Sequence, residues 1–229
     1  MRPHRPTLLL LASILMSLPT ASAWAGNVAG RLWMSREAQT AAARTTDPVK
    51  LAKAQRGTTE AVVWIEAIPE KVEQKLATRR TGWLFKRTLP EPVASIVQVN
   101  QRFRPRVLAV PAGARVEFRN ADRVYHSTFS VSAAKRFDLG KYAPGRRDTV
   151  EFARRGVINL HSDIYPEMLG FVVVTPNHAY ARPDSLGRFQ LPKLPAGRYT
   201  VRAWHPQRGE LKREIEVPKR GDTALDLRF

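Results

Sequence analysis

The chain of 229 residues contains no cysteine. This absence excludes disulfide bonds, thiolate metal ligands, thiol nucleophiles and the lipid-modified cysteine of a lipoprotein. It does not locate the protein, because many exported proteins lack disulfides as well.

Long apolar runs are also scarce, and the one that stands out covers residues 8–18, interrupted by two serines. Two arginines precede it, and an Ala-x-Ala pattern that ends at Ala23 follows. This order is typical of a cleavable export signal, so we predict a signal peptide at residues 1–23 and a periplasmic protein. Cleavage after Ala25 fits a second Ala-x-Ala pair. Because the run is shorter than the roughly 20 residues of a bilayer span, we predict no stable membrane span after cleavage.

Acidic residues are few, with 20 Asp and Glu against 38 Lys and Arg. Removal of the signal takes away two arginines and leaves a net charge of +16. Such an excess attracts anionic partners over long range. For an exported protein we expect an anionic envelope component or an acidic periplasmic protein, and no nucleic acid. The alternative is a basic surface without a specific partner. The arginines at positions 119, 123, 136, 146, 147, 154 and 155 could form a basic rim or be unrelated surface residues.

Short segments rich in β-branched and aromatic residues follow one another from residue 96 to residue 174. Turn residues such as Pro111-Ala112-Gly113 separate them, and residues 115–118 alternate between polar and apolar side chains. Short strands at this density predict a β-sandwich. The C-terminal residues continue the pattern, with strands predicted at 187–191, 199–205, 214–217 and 223–229.

The N-terminal part is less regular. Strands are predicted at residues 27–34 and 60–65, whereas residues 35–55 form either a short helix or an exposed loop. Val72 and Leu76 have helical spacing within residues 69–80. The fold class is therefore all-β, with a short helix or loop segment between about residues 35 and 80.

Sequence motifs for catalysis are missing. The chain has no GxSxG, no HExxH and no phosphate-binding loop, and its carboxylates Asp138, Asp163 and Glu167 are scattered over loops. These patterns would mark an acyl-transfer, metalloprotease or nucleotide site. We therefore predict that the protein is not an enzyme.

Four motifs between residues 96 and 175 carry a family resemblance. They are Gln98-x-Asn100-x-x-Phe103-x-Pro105, then Val110-Pro111-Ala112-Gly113-x-x-Val116-x-Phe118-x-Asn120-x-Asp122, then His126-x-x-Phe129-Ser130, and Phe137-Asp138-Leu139-Gly140. This stretch resembles the plastocyanin-like cupredoxin family, and above all its periplasmic, methylamine-utilisation-like branch. The resemblance implies a Greek-key sandwich over residues 96–175 and, in the family, electron transfer by copper.

The resemblance also implies where a copper centre would lie, namely at one early histidine and a late Cys-x-x-His-x-x-Met loop. Here the early position is His126, and the loop holds Ser162 for cysteine, Tyr165 for the second histidine, and Met168. A blue-copper site needs two imidazoles and one thiolate. A serine hydroxyl is a poor neutral ligand, and tyrosine with a pKa of about 10 is also neutral. The site is therefore predicted to be degenerate, with no cofactor or with copper that forms no blue centre.

Three functions remain open on this basis, and the sandwich fold adds a fourth, a polysaccharide-binding lectin-like role to which no specific residue points. The first is a periplasmic binding or interaction protein in which Ser162 and Tyr165 hydrogen-bond to each other or to His126. The second is a copper-binding protein that uses His126 and Met168 with His161 or Asp163, a ligand set that suits Cu(I) because thioethers favour it. Strand periodicity turns His161 away from Ser162. The third, an electron-transfer cupredoxin, would need a redox centre that the sequence does not supply.

A second resemblance lies at the two ends of the chain. Gly26-x-Val28-x-Gly30, Ala61-x-Val63, residues 184–191 and Leu194-Pro195-Ala196-Gly197-Arg198-Tyr199-Thr200-Val201 resemble the carboxypeptidase regulatory-like, transthyretin-like β-sandwich. The resemblance implies a structural or adhesive module. We predict one discontinuous domain of residues 26–95 with 176–229, into which the cupredoxin-like domain 96–175 is inserted. The alternative is an independent N-terminal piece, and contact of Val28 or Val63 with Tyr199 or Val201 distinguishes the two.

Overall fold

The computed structural model describes residues 24–35, 57–81 and 94–229. The predicted signal peptide, nearly all of the segment 35–55 and the proline-containing loop after residue 81 lie outside these ranges. Within them the protein is all-β, as predicted, with one α-helix and one 3₁₀ turn at Thr58–Glu60. No helix in the described ranges is both long enough and apolar enough to cross a bilayer.

The elements are numbered along the chain. The N-terminal part contains β1 (Trp24–Trp33), β2 (Val62–Ile65), α1 (Glu70–Thr81) and β3 (Ala94–Gln98). The central part contains β4 (Phe103–Arg104), β5 (Val107–Pro111), β6 (Ala114–Asn120), β7 (His126–Ser132), β8 (Lys135–Tyr142), β9 (Arg147–Phe152), β10 (Gly156–Leu160) and β11 (Gly170–Thr175). The C-terminal part contains β12 (Tyr180–Ala181), β13 (Arg188–Pro195), β14 (Gly197–His205), β15 (Gly209–Val217) and β16 (Thr223–Arg228).

Strands β3 to β11 form a two-sheet sandwich. One sheet has the order β4-β3-β6-β9, and the other joins β10-β11-β5 to the β7-β8 hairpin through a bridge between Phe129 and His161. The chain crosses repeatedly between the sheets, so β3 pairs with β6 and β5 with β11 in parallel. This connectivity is of the Greek-key kind. The predicted cupredoxin-like Greek-key sandwich is thus confirmed at the level of the fold.

Side chains from both sheets fill the core of this sandwich. In β6 the side chains alternate, so that Val116 and Phe118 are buried while Glu117 and Arg119 point outward. This period of two is what a strand with one buried face requires. Phe118 packs against Phe152 from β9, and Met168 closes the core near the loop before β11.

The remaining strands form a second pair of sheets, with the orders β13-β1-β16 and β12-β2-β14-β15. Strands β1 and β2 therefore pair with C-terminal strands rather than with each other. One apolar cluster contains Val28, Val63, Tyr199 and Val201, and α1 adds two side chains to it. These contacts support the proposal of one discontinuous domain. A Cβ at Gly30 would lie 1.7 Å from the Leu225 carbonyl oxygen, so only glycine fits between β1 and β16.

A separate apolar cluster joins the two sandwiches. Phe171 of β11 packs edge-on against Trp204 of β14, with 5.3 Å between the ring centroids. Arg106 lies over the Phe171 ring and forms a 2.6 Å salt bridge to Glu60. Asn177, just after β11, is buried and donates to the Ile65 carbonyl oxygen. The cupredoxin-like sandwich is therefore fixed on the sheet that contains β2 and β14.

Several predicted strands have other bounds in the structure, and β4, β8 and β12 were not predicted. Strand β15 begins at Gly209 rather than at residue 214. The strand predicted at 60–65 begins only at Val62, because the chain leaves Gly57 with a φ of 88° and makes a 3₁₀ turn first. Strand β8 was not predicted, since its Lys, Arg, Asp and Gly residues are poor strand formers. Pairing with β7 overrides this weak preference.

Candidate functional site

His126 and the loop of residues 162–168 meet at one end of the cupredoxin-like sandwich. His126 begins β7, and the loop connects β10 to β11. The ring centroids of His126 and Tyr165 are 5.1 Å apart. We call His126, Ser162, Tyr165 and Met168 the His126 site.

The imidazole of His126 is fully buried and has one hydrogen-bond partner among the described residues. Its Nε2 lies 2.8 Å from Oδ2 of Asp122. An ionised carboxylate only accepts hydrogen bonds, so Nε2 of His126 is the donor of this bond. Within the described ranges Nδ1 has no partner. A buried polar atom without a partner costs about 1–3 kcal/mol, so Nδ1 is the atom of the site whose hydrogen-bonding capacity is unmet.

Asp122, which the sequence did not single out as a site residue, organises the neighbouring loop. Its two carboxylate oxygens accept the backbone N–H groups of Asn100 and Gln101 at 2.7 and 2.9 Å. Both residues have a positive φ, of 53° and 54°, which is uncommon for residues other than glycine. Burial alone would raise the pKa of the Asp122 carboxyl, but the hydrogen bonds from Gln101, His126 and Asn100 lower it overall. The ionised carboxylate thus fixes both the turn and the histidine.

Ser162 stands at the predicted cysteine position and takes part in a hydrogen-bond network. Its hydroxyl lies 3.2 Å from that of Ser127 and accepts the backbone N–H of Tyr165 at 3.3 Å. Ser127 in turn accepts the backbone N–H of Asp163 at 2.8 Å. Ser162 is 4% exposed. The bond between Ser162 and Tyr165 therefore involves the tyrosine backbone and holds the loop closed.

The other candidate residues have separate surroundings. Met168 is buried at 2% exposure, and Tyr165 is half-buried against the same core. The His161 ring packs on Phe129 with 5.5 Å between centroids, whereas Asp163 is exposed. In the described part of the chain, no three His, Asp or Glu side chains are grouped closely enough to hold a metal. His126, His161 and Asp163 are therefore not brought together as a set, because the backbone bridge to Phe129 fixes His161 elsewhere.

These donors do not fit a blue-copper centre. The chain has no thiol, the Ser162 hydroxyl is occupied by hydrogen bonds, and Tyr165 replaces the second imidazole. The trigonal set of two imidazoles and one thiolate cannot form. What remains is one free imidazole nitrogen, on His126, and one buried thioether, on Met168.

A closed polar ring connects the strands beside the site. Gln98 donates to the Thr128 hydroxyl at 2.8 Å, the Thr128 hydroxyl lies 2.8 Å from that of Tyr142, and Tyr142 donates back to the Gln98 carbonyl oxygen. All three side chains are buried. Burial raises the pKa of Tyr142 to about 12, although both hydrogen bonds oppose the rise. No local sequence pattern predicts this ring, although Gln98 belongs to one of the motifs that carry the resemblance.

Exposed apolar and basic side chains surround the His126 site. Tyr125 is 60% exposed, and Val124 and Leu169 are close to 40%. Arg102 and Arg123 are exposed in the adjoining loops and make no salt bridge to any described residue. We call these five residues the end surface. Asn100 and Gln101 share an open cleft of about 400 Å³ with Arg123 and Val124, which joins the two loops into one surface.

The arginines do not form the continuous rim that the sequence allowed. Arg123 belongs to the end surface, and Arg146 is paired with Asp148 nearby. Arg154 instead donates to the Ala133 carbonyl oxygen. It lies in the turn between β9 and β10, at the opposite end of the sandwich, because β9 leads away from the His126 site. A basic rim that includes Arg154 and Arg155 is therefore wrong.

Comparisons with known proteins give weak likenesses only. No family model and no curated protein matches the chain. A purple cupredoxin from Nitrosopumilus maritimus is 24% identical over 36% of this chain and 99% of that one, with a TM-score of 0.33. A copper-containing nitrite reductase from Thermus scotoductus SA-01 is 26% identical over 44% of this chain and 26% of that one, with a TM-score of 0.39. An amicyanin mutant in its reduced Cu(I) form is 19% identical over 35% of this chain and 80% of that one, with a TM-score of 0.34. At such scores these likenesses assign no family, and the predicted branch stays a prediction.

Proposed function

We propose that the protein is a periplasmic binding module that performs no blue-copper electron transfer and docks an acidic protein through the end surface. The observation that carries the proposal is the hydrogen bonding of the Ser162 hydroxyl. A position where the resemblance implies a metal ligand instead holds a loop closed by hydrogen bonds to Ser127 and Tyr165. The scaffold is kept while the electron-carrying centre is absent.

The composition of the end surface supports docking to a protein. Across the described residues, four large apolar side chains are strongly exposed, and three of them lie on this surface. Aromatic and apolar side chains at the centre of a patch, with arginines beside them, are typical of protein interfaces.

Charge supports an acidic partner. The unpaired Arg102 and Arg123 lie on the side of the end surface formed by the loops 99–102 and 121–125. The neighbouring loop contributes two exposed acids, Asp163 and Glu167. Without the predicted signal peptide the chain has a net charge of +16, which speeds encounter with an anionic protein.

Copper loading of two proteins tests the loss of the redox centre. The native chain is expected to show no intense absorption at about 600 nm, where thiolate-to-copper charge transfer falls. The double variant Ser162→Cys, Tyr165→His restores the missing ligand types in the same loop and serves as the matched control. An intense band in the native protein would refute the proposal.

Crosslinking in the native periplasm tests docking. A photoreactive group placed at residue 169 is expected to capture an acidic protein, less of it as salt rises. Tyr125→Ser is expected to lower the yield at least tenfold. Val131→Ser is the control, because Val131 is 66% exposed on β7 but outside the end surface. Equal losses in both variants, or capture of a basic protein, would overturn the docking proposal.

A second function, Cu(I) binding, is favoured by the unpartnered Nδ1 of His126. This nitrogen and the Met168 thioether are both buried in the His126 site, and soft thioethers prefer Cu(I). Titration calorimetry with Cu(I) and Cu(II) tests it. Met168→Leu keeps the side-chain volume and is expected to abolish Cu(I) binding while the melting temperature stays similar. If Met168→Leu and His126→Gln leave the Cu(I) affinity unchanged, this function is wrong.

A further inference from the structure

A cleft opens where the two sandwiches diverge, beyond the apolar contacts that join them. It has a volume of about 320 Å³ and is lined by β2, β14 and β15 on one side and by β10 and β11 on the other. This volume lies at the lower end of the range of small-molecule sites. We call it the junction cleft.

One wall of the junction cleft is a network of charges. Arg202 contacts Glu66 at 2.8 Å and Glu210 at 2.5 Å. The hydrogen bond from Arg202 lowers the pKa of the Glu66 carboxyl below its ordinary value. Glu66 is therefore ionised and presents acceptor oxygens at neutral pH.

Arg155 adds donors on the opposite wall. It is exposed, makes no salt bridge within the described ranges, and lies close enough to Glu66 to contribute to the lowered pKa. The lining thus has two arginines and two glutamates and no net charge. A ligand with many hydroxyl groups matches such a lining, because each hydroxyl can donate to a carboxylate and accept from a guanidinium.

Apolar side chains from both sides form the rest of the lining, which we call the apolar wall. Trp64 lies directly opposite Arg202 in the register of β2 and β14, and Val157, Val173 and Pro176 face the same space. A pyranose ring has C–H groups on its faces and hydroxyls around its edge. It can place a face on the apolar wall and direct hydroxyls to the charged network.

We propose that the junction cleft binds a short segment of a neutral polysaccharide. Glu66 and Glu210 accept hydrogen bonds from sugar hydroxyls, Arg155 donates to them, and Arg202 holds both carboxylates in place. Cleavage is not part of the proposal, since an ionised Glu66 cannot act as the acid that protonates a leaving group. The residues differ from those of the end surface, so this proposal and the docking proposal succeed or fail separately.

Calorimetry on the purified mature protein tests the proposal, with neutral tetrasaccharides of glucose, mannose and N-acetylglucosamine as probes and tetragalacturonate as the acidic comparison. At least one neutral probe is expected to bind in preference to the acidic one. Arg155→Gln is expected to weaken binding about tenfold or more, because a hydrogen bond to a charged group is lost. Glu210→Gln is expected to weaken it as well.

Arg154→Gln is the matched control, because Arg154 is an exposed neighbour that does not line the cleft. It is expected to leave the affinity unchanged. Thermal unfolding of each variant checks that the fold is kept. The proposal is overturned if none of the neutral probes binds at millimolar concentration, if the acidic probe binds best, or if Arg154→Gln and Arg155→Gln weaken binding equally.

Discussion

Replacing Tyr142 by phenylalanine removes one oxygen atom from the closed ring formed with Gln98 and Thr128. The aromatic ring stays in place, since phenylalanine has the same shape and position 142 is 1% exposed. The Gln98 carbonyl oxygen then loses its donor, and the Thr128 hydroxyl loses the oxygen that accepts from it. Both of these groups are fully buried, so water cannot replace the lost oxygen.

The size of the effect follows from the two groups left without a partner. Each buried group in this state costs about 1–3 kcal/mol. Burying a phenylalanine side chain requires less free energy than burying tyrosine, because no hydroxyl is desolvated, and this difference offsets part of the loss. We therefore expect Tyr142→Phe to lower the free energy of unfolding by about 2–4 kcal/mol.

Urea unfolding at neutral pH measures this difference. Tyr125→Phe is the control, because Tyr125 is 60% exposed and is expected to change stability negligibly. The assignment of the hydrogen-bonded ring would be refuted if Tyr142→Phe lowered the free energy of unfolding by less than about 0.5 kcal/mol, or if both variants lowered it equally.

The raised pKa of Tyr142 gives the same variant a second readout. The unfolded phenol loses its proton near pH 10, whereas the folded one keeps it to about pH 12. Between these values the unfolded state binds fewer protons, so the stability of the native protein falls as pH rises. The stability gap between native protein and Tyr142→Phe should therefore be constant below pH 10 and shrink above it. A constant gap up to pH 12 contradicts this account.

Three further predictions concern other contacts. Asp122→Ala removes the acceptor of two N–H groups in residues with positive φ, so amide hydrogen exchange at positions 100 and 101 should become at least tenfold faster, with exchange in β11 as the unaffected reference. Burial lowers the pKa of His205 despite its bond to the Gly57 carbonyl oxygen, so the unfolded state binds more protons below about pH 6.5. As the pH is lowered through this range, the melting temperature of the native protein should decrease. The melting temperature of His205→Gln should decrease less steeply, and parallel curves for the two proteins would contradict this. Phe171→Ala removes the ring between Arg106 and Trp204 and should cost about 3–5 kcal/mol in urea unfolding, against a small loss for the conservative Phe171→Leu.

Local patterns in the sequence predicted the elements that depend on local physics. The alternation in residues 115–118 gave the faces of β6, and the spacing of Val72 and Leu76 gave the buried side of α1. Strand periodicity separated His161 from Ser162, and the two side chains have different neighbours. Strand β8 was missed because its stability comes from pairing with β7 rather than from its own residues.

The sites depend on contacts that no local pattern contains. Asp122 reaches His126 only because its loop folds back against residues 100 and 101. The junction cleft combines Trp64 of β2, Arg155 from the turn between β9 and β10, and Arg202 of β14, which are far apart in the sequence. Exposure of Tyr125 is likewise a result of packing, since an aromatic residue in a strand-rich segment is more often buried.

The pairing of β1 has a consequence for the order in which the protein can fold. This strand is central in its sheet, and both of its neighbours, β13 and β16, come from residues 188–228. During synthesis or translocation β1 therefore has unpaired edges until nearly the whole described chain has followed it. Contacts of such long sequence separation form slowly. A chain shortened before residue 223 would leave one edge of β1 open, and exposed strand edges promote aggregation.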